Sequence, residues 1–167
     1  IVEGHFDAGI RLGECLQRDM VALPLGPLQR QTIVGAPAYL DRHGVPATPD
    51  DLAGHACLRW RRSDGRMQPW EFTRDGRDFE MEVDGPLVVN DTVLGLDALR
   101  RGLGLGQVFA WQVREDIAAG RLRSVLDDWQ APFPGWYVYY PQREHLAPKL
   151  RVFIDFLRER LAGAPCP

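Results

Sequence analysis

Leu150, Phe153, Ile154, Leu157 and Leu161 recur at intervals of three and four residues. That stripe predicts an amphipathic helix near the end of the chain. A different period runs through "WEFTRDGRDFEMEV" (70–83), where Phe79, Met81 and Val83 alternate with Asp78, Glu80 and Glu82. Alternation with period two predicts a strand, and Asp75-Gly76 suits the tight turn of a hairpin. Short apolar runs predict further strands at 6–12 (FDAGIRL), 19–25 (DMVALPL), 30–36 (RQTIVGA), 56–60 (ACLRW), 86–90 (PLVVN), 105–109 (LGQVF), 121–126 (RLRSVL) and 136–141 (WYVYYP).

Between these strands the punctuation is helical. Pro37 fits the first turn of a helix, where its missing N–H costs nothing, and Gly44 closes that helix after two turns. The stretch Thr48-Pro49-Asp50-Asp51 repeats the device, with Thr48 as N-cap, Asp51 at the capping-box position and Gly54 as the stop. "NDT" precedes the helix "VLGLDALRRG", which stops at Gly102, and "WQVREDIAAG" (111–120) is a helix that stops at Gly120. Strands alternating with helices argue for an α/β fold with at least one mixed sheet. Residues 31–134 read as a complete small α/β unit. Two strands precede it and one strand and one helix follow it, so the ends (1–30 and 135–163) read as a second, incomplete unit, with 164–167 as a tail. A chain that leaves one lobe, builds another and returns crosses twice, and that topology predicts a cleft between two lobes.

Composition narrows the function more than it names it. At 167 residues and 45% hydrophobic, the chain is long enough to bury a core. No apolar run approaches 18 residues, so no membrane span is expected. The start at Ile1 reads as that of a fragment or processed chain. Cys15, Cys57 and Cys166 are odd in number and widely spaced with no CxxC, which predicts neither a disulfide framework nor a zinc site and fits a reducing cytoplasm. Net charge is −3, and the one basic cluster, "RWRRSDGR" (59–66), is flanked by chain that is not basic. It reads as a solvated loop rather than a nucleic-acid patch.

The candidate chemistry is that of binding, not catalysis. His5, His43, His55 and His145 are scattered, the only serines are Ser63 and Ser124, and no Gly-x-Ser-x-Gly or HExxH motif occurs. "GLGLG" (102–106) follows a helix and enters a strand, the reverse of a dinucleotide loop. No enzyme, metal or cofactor is expected. Two strand-to-helix junctions, "VGAPAY" (34–39) and "VNDTVL" (89–94), would expose helix N-terminal amides on one side of a sheet and suit a carboxylate or other small anion. Arg11 could pair bidentately with a carboxylate, or form a surface ion pair with Asp7 or Glu14. Phe109, at the end of a strand, reads as a cleft wall or as core.

Six segments in order, "DAGIRLGE" (7–14), "DMVALPLGP" (19–27), "APAYLDRHGVPATPDDLAGHACLRW" (36–60), "WEF" (70–72), "GPLVVND" (85–91) and "LRRGLGLGQV" (99–108), closely resemble the effector-binding domain of LysR-type transcriptional regulators. The resemblance covers residues 6–162. It implies a two-lobed domain like type 2 periplasmic binding proteins, with lobe one incomplete, and a small-molecule effector between the lobes. It further implies a homodimer or tetramer, cytoplasmic location, and DNA binding through an N-terminal winged helix-turn-helix absent from these residues. A solute-binding protein of a transporter shares the architecture and is the alternative. The expected effector site comprises Arg11 and Leu12 in lobe one, with Gly35, Ala36, Asn90, Asp91, Thr92 and Phe109 in lobe two. Family members commonly carry Ser where this chain has Ala36.

Overall fold

The structure, a computed structural model, describes residues 6–13, 20–141 and 147–162. His5, Glu14, Cys15, His145, Cys166 and the tail 164–167 lie outside the described residues. In chain order the strands are β1 (Gly9–Leu12), β2 (Met20–Pro24) and β3 (Gln31–Gly35). Helix α1 (Pro37–His43) and a 3₁₀ turn (Pro49–Gly54) follow, then β4 (Arg59–Arg61), β5 (Met67–Gln68), β6 (Trp70–Arg74), β7 (Arg77–Met81) and β8 (Val88–Val89). The chain continues as α2 (Thr92–Arg100), β9 (Leu105–Phe109), α3 (Ala110–Ala118), β10 (Arg123–Val125), a 3₁₀ turn (Asp127–Trp129), β11 (Trp136–Pro141) and α4 (Pro148–Ala162). It divides into two compact units, one of Ile1–Gln29 with Pro132–Cys166, the other of Arg30–Ala131.

In the first unit, β11 is the middle strand of an antiparallel sheet ordered β1-β11-β2. Gly9 lies opposite Tyr139 on one side, and Pro24 opposite Tyr137 on the other. The expected stripe on α4 supplies the cover. Leu150 and Ile154 are buried with Leu25 and Val138, while Leu157 and Leu161 pack at the margin. Phe153, read as part of that stripe, is instead exposed, as are Val152 and Phe156. Residues 150, 154, 157 and 161 follow the helical repeat on one face, and Phe153 falls just off it. Asp7, offered as a partner of Arg11, accepts Lys149 Nζ at 2.6 Å.

The second unit is built on a three-stranded sheet ordered β10-β3-β9, with β3 antiparallel to both neighbours. The sheet continues past β9: Cys57 forms a parallel bridge to Leu105, and the Leu58 amide donates to Leu105 O at 2.7 Å. From there the chain runs on into β4, which pairs in parallel with β8 and antiparallel with β5, a short strand the hydrophobic pattern did not signal. The predicted hairpin is present as β6 and β7, and Asp75 and Gly76 turn it with φ of 51° and 73°. Positive φ at both central positions matches the right-handed twist of the flanking strands.

A polar zipper fastens this hairpin to the sheet. Gln107 of β9 accepts the Glu71 amide through Oε1 (3.0 Å) and donates through Nε2 to Glu71 O (2.6 Å), as a neighbouring strand would. Gln130 donates to the same carbonyl at 3.2 Å and accepts from Gln107 at 3.1 Å. Both glutamines are buried, so their hydrogen bonds are needed to offset desolvation. Around them Ile33, Val34, Leu40, Leu58, Trp70, Phe72, Leu99, Leu105, Val113 and Leu122 form the core.

Candidate functional site

Strand direction decides which junctions can share a site. Gly35, the last residue of β3, lies opposite Leu105, the first of β9, and Gln31 lies opposite Phe109. Because β9 and β4 run in parallel, and β4 and β8 do too, β8 points the opposite way to β3. The β8–α2 junction (Asn90-Asp91-Thr92) therefore sits at the end of the sheet where β9 finishes at Phe109. The β3–α1 junction (Gly35-Ala36-Pro37) sits at the other end. The expectation that both junctions open on one side of the sheet is corrected here, since it assumed that the two strands are parallel.

The two junctions also differ in what they expose. Gly35 and Ala36 are buried, and a Cβ on Gly102 would lie 3.6 Å from the Ala36 methyl, so the loop after α2 packs over the start of α1. Ala36 caps α1 with no side-chain hydrogen bond, and its carbonyl accepts the Tyr39 amide at 2.9 Å. Asn90, Asp91 and Thr92 are all exposed. Asp91 is the N-cap of α2: its Oδ1 accepts the Leu94 amide at 3.0 Å and its carbonyl accepts that of Gly95. The amides of Thr92 and Val93, in the first turn, have no helical carbonyl within reach. Asp91 already places a negative charge at this helix end, where a bound carboxylate would bring a second one.

The pattern of apolar residues had not marked Val93 and Leu94. They are 71% and 64% exposed beside this junction. Both fall outside the buried set Gly95, Leu96, Ala98 and Leu99, an off-stripe position that the sequence did display. Helix α2 is seated on Trp60, whose indole N–H donates to Gln107 O at 3.2 Å; a Cβ on Gly95 would run into the indole ring. Its far end is tied by Arg100, which donates from Nε (3.0 Å) and Nη2 (2.8 Å) to the buried Asp116 of α3. Arg121 Nε donates to the other oxygen of Asp116 at 2.5 Å. The hydrogen bonds from Arg100, more than those from Arg121, hold the Asp116 carboxyl below the usual carboxylate range, against a burial effect of opposite sign.

Phe109 is half-buried and stacks with the half-exposed Trp111, ring centroids 6.3 Å apart. In the first unit, Arg11 is exposed and Leu12 half-buried on β1, opposite Tyr137 and Trp136. Among the described residues no group of three or more His, Cys, Asp or Glu side chains could hold a metal ion. In the cluster at Arg59–Arg66, Asp64 is bound by Arg66 at 2.7 Å, and Arg59 reaches outside it to Asp84 at 3.4 Å.

The family model for the LysR substrate binding domain matches residues 1–162. The chain belongs to that family. A protein of Pseudomonas aeruginosa strain PAO1 is 41% identical over 163 residues, covering 95% of this chain and 52% of its own length. The HTH-type transcriptional regulator PgrR of Escherichia coli K12 is 35% identical over 159 residues, covering 95% of this chain and 53% of its own. The chain spans about half the length of these relatives. Among solved structures, the regulatory domain of AphB from Vibrio vulnificus matches with a TM-score of 0.78 at 25% identity, over 94% of this chain and 76% of that one. The LysR-type regulator CrgA from Neisseria meningitidis matches with a TM-score of 0.78 at 26% identity, over 98% of this chain and 54% of that one. The LysR substrate-binding domain is thus an α/β fold shared with regulatory domains, and the transport-protein alternative is not favoured. No helix among the described residues is long and apolar enough to cross a membrane.

Proposed function

We propose that this LysR domain is the effector-sensing part of a transcriptional regulator, and that its second unit receives the effector at the end of the sheet carrying Asn90, Asp91, Thr92 and Phe109. The observation that carries this reading is the exposed first turn of α2, where the Thr92 and Val93 amides and the Thr92 hydroxyl stand beside exposed Val93 and Leu94. Such a surface suits a small molecule with an acceptor oxygen and an apolar body. A carboxylate is the first class to test, with the Asp91 charge favouring a singly charged or neutral acceptor over a multiply charged one. Gly35 and Ala36, buried at the other end, take no part in this reading. Arg11 and Leu12 are carried as a separate contact of the first unit.

DNA binding is assigned to a winged helix-turn-helix outside these 167 residues, in keeping with the HTH-type name of PgrR, and the working form to a homodimer. Effector binding would bias the domain between conformations and so alter how paired DNA-binding segments sit on an operator. The test is calorimetric titration against a panel of aliphatic and aromatic carboxylates and their neutral amides, followed by Thr92→Val. A hit that loses roughly tenfold or more in affinity on an unchanged melting temperature supports the site, since one hydrogen bond to a charged group contributes about 1.5–3 kcal/mol. An unchanged affinity in Thr92→Val places the ligand elsewhere.

A further inference from the structure

The hydroxyl of Tyr39 joins two segments of the second unit through a histidine. Tyr39 lies on α1 and is 3% exposed. Its oxygen accepts the Ala56 amide at 2.9 Å and lies 3.2 Å from His55 Nδ1. An amide can only donate, so the hydroxyl proton is free to donate to Nδ1. That arrangement requires a neutral His55 whose own proton is on Nε2. His43, the last residue of α1, stacks on the Tyr39 ring with centroids 4.5 Å apart and planes at 25°. Two imidazoles thus flank one buried phenol.

We propose that His43, Tyr39 and His55 form an acid-released clasp that fastens α1 to the segment leading into β4. Protonation turns Nδ1 from an acceptor into a donor, so the tyrosine oxygen faces two donors and its own proton loses its partner. His43 adds to the cost of a charge on His55 across the ring. The other ionisable groups acting on the clasp are Asp51, from the 3₁₀ turn, and Cys57. The Asp51 carboxylate attracts a charged His55, but it is already engaged by the amides of Ala47 (2.9 Å) and Thr48 (2.8 Å). Burial pushes the Cys57 thiol up to about 12, so it stays neutral throughout.

Burial first, and His43 second, hold His55 below its ordinary range, with Asp51 opposing them. The sign follows. The released state binds a proton more readily than the closed one, so the clasp is at full strength above the ordinary histidine pKa of about 6.5 and weakens as pH falls through and below it. This inference does not rest on the effector reading.

The test is hydrogen exchange at the Ala56 amide in the intact protein, corrected for the intrinsic pH dependence of exchange. Between about pH 7 and about pH 5 the wild type is expected to lose roughly tenfold in protection, the equivalent of one hydrogen bond. His55→Gln keeps an acceptor that does not titrate, so its protection should not change with pH. Tyr39→Phe should be poorly protected at both values. His43→Gln should move the midpoint up, toward the ordinary histidine value. A flat profile in the wild type, or the same fall in His55→Gln, overturns the clasp. An unmoved midpoint in His43→Gln overturns the part assigned to His43.

Discussion

The two strand-to-helix junctions of the second unit are built from the same local parts and end in different roles. Each has a strand, a turn residue and a short helix, yet Gly35-Ala36 is packed under the loop after α2 while Asn90-Asp91-Thr92 faces solvent. The first makes α1 part of the core, with Tyr39 and Leu40 buried. The second leaves the start of α2 open and fixes the helix from beneath, by Trp60, and from its far end, by Asp116. A helix N-terminus is a binding feature only where nothing else has covered it. That distinction comes from packing rather than from capping residues.

Substitutions at four positions sharpen the contrast. The largest effect is expected from Asp116→Ala, which leaves Arg100 and Arg121 without the carboxylate that anchors α2. Both arginines are partly exposed, so the cost is discounted from that of a fully buried pair to about 2–3 kcal/mol, read as a shift in denaturant midpoint. The same carboxylate predicts a pH effect. Its pKa is depressed in the folded state, so its contribution is complete above the ordinary Asp range and is lost as pH falls through that range toward the folded value. Asp116→Asn should flatten that part of the acid limb of a stability profile.

Gly95→Ala comes next, at about 1–3 kcal/mol, because the added methyl meets the rigid indole of Trp60 and α2 must lift. If the open junction depends on this seating, the variant should also weaken any ligand that Thr92→Val weakens. Asp91→Ala removes the N-cap and should cost about 1 kcal/mol, measured by thermal or chemical unfolding. The smallest effect belongs to the packed junction. Ala36→Ser restores a capping hydroxyl and should stabilise α1 by roughly 0.5–1 kcal/mol with no change in ligand affinity. A change in affinity there would mean that the two ends of the sheet are coupled.

Much of the fold was legible in the chain. The Phe79/Met81/Val83 alternation and Asp75-Gly76 predicted the hairpin that β6 and β7 form, and the capping-box position of Asp51 predicted the bond it accepts from the Thr48 amide, to which the structure adds one from Ala47. Leu150, Ile154, Leu157 and Leu161 marked the buried face of α4. The candidate site was legible only as a set of residues. Asn90, Asp91 and Thr92 read as an N-cap region, and Asp91 is the cap. Nothing in the residues said that Phe109 would share their end of the sheet and that Gly35 and Ala36 would not.

What the sequence determined by itself was local: which stretches are strands or helices, where they stop, and which face of each is apolar. These follow from periodicity, caps and turn chemistry, all within a few residues of one another. Only the tertiary structure decided the direction of β8 relative to β3, the burial of Ala36 beneath the loop at Gly102, and the meeting of Tyr39 with His55. It also brought Gln107 and Gln130 together at the Glu71 peptide group. Strand pairing and side-chain networks join residues far apart in the chain. Their partners are chosen by the packing of the whole core, which no local pattern carries.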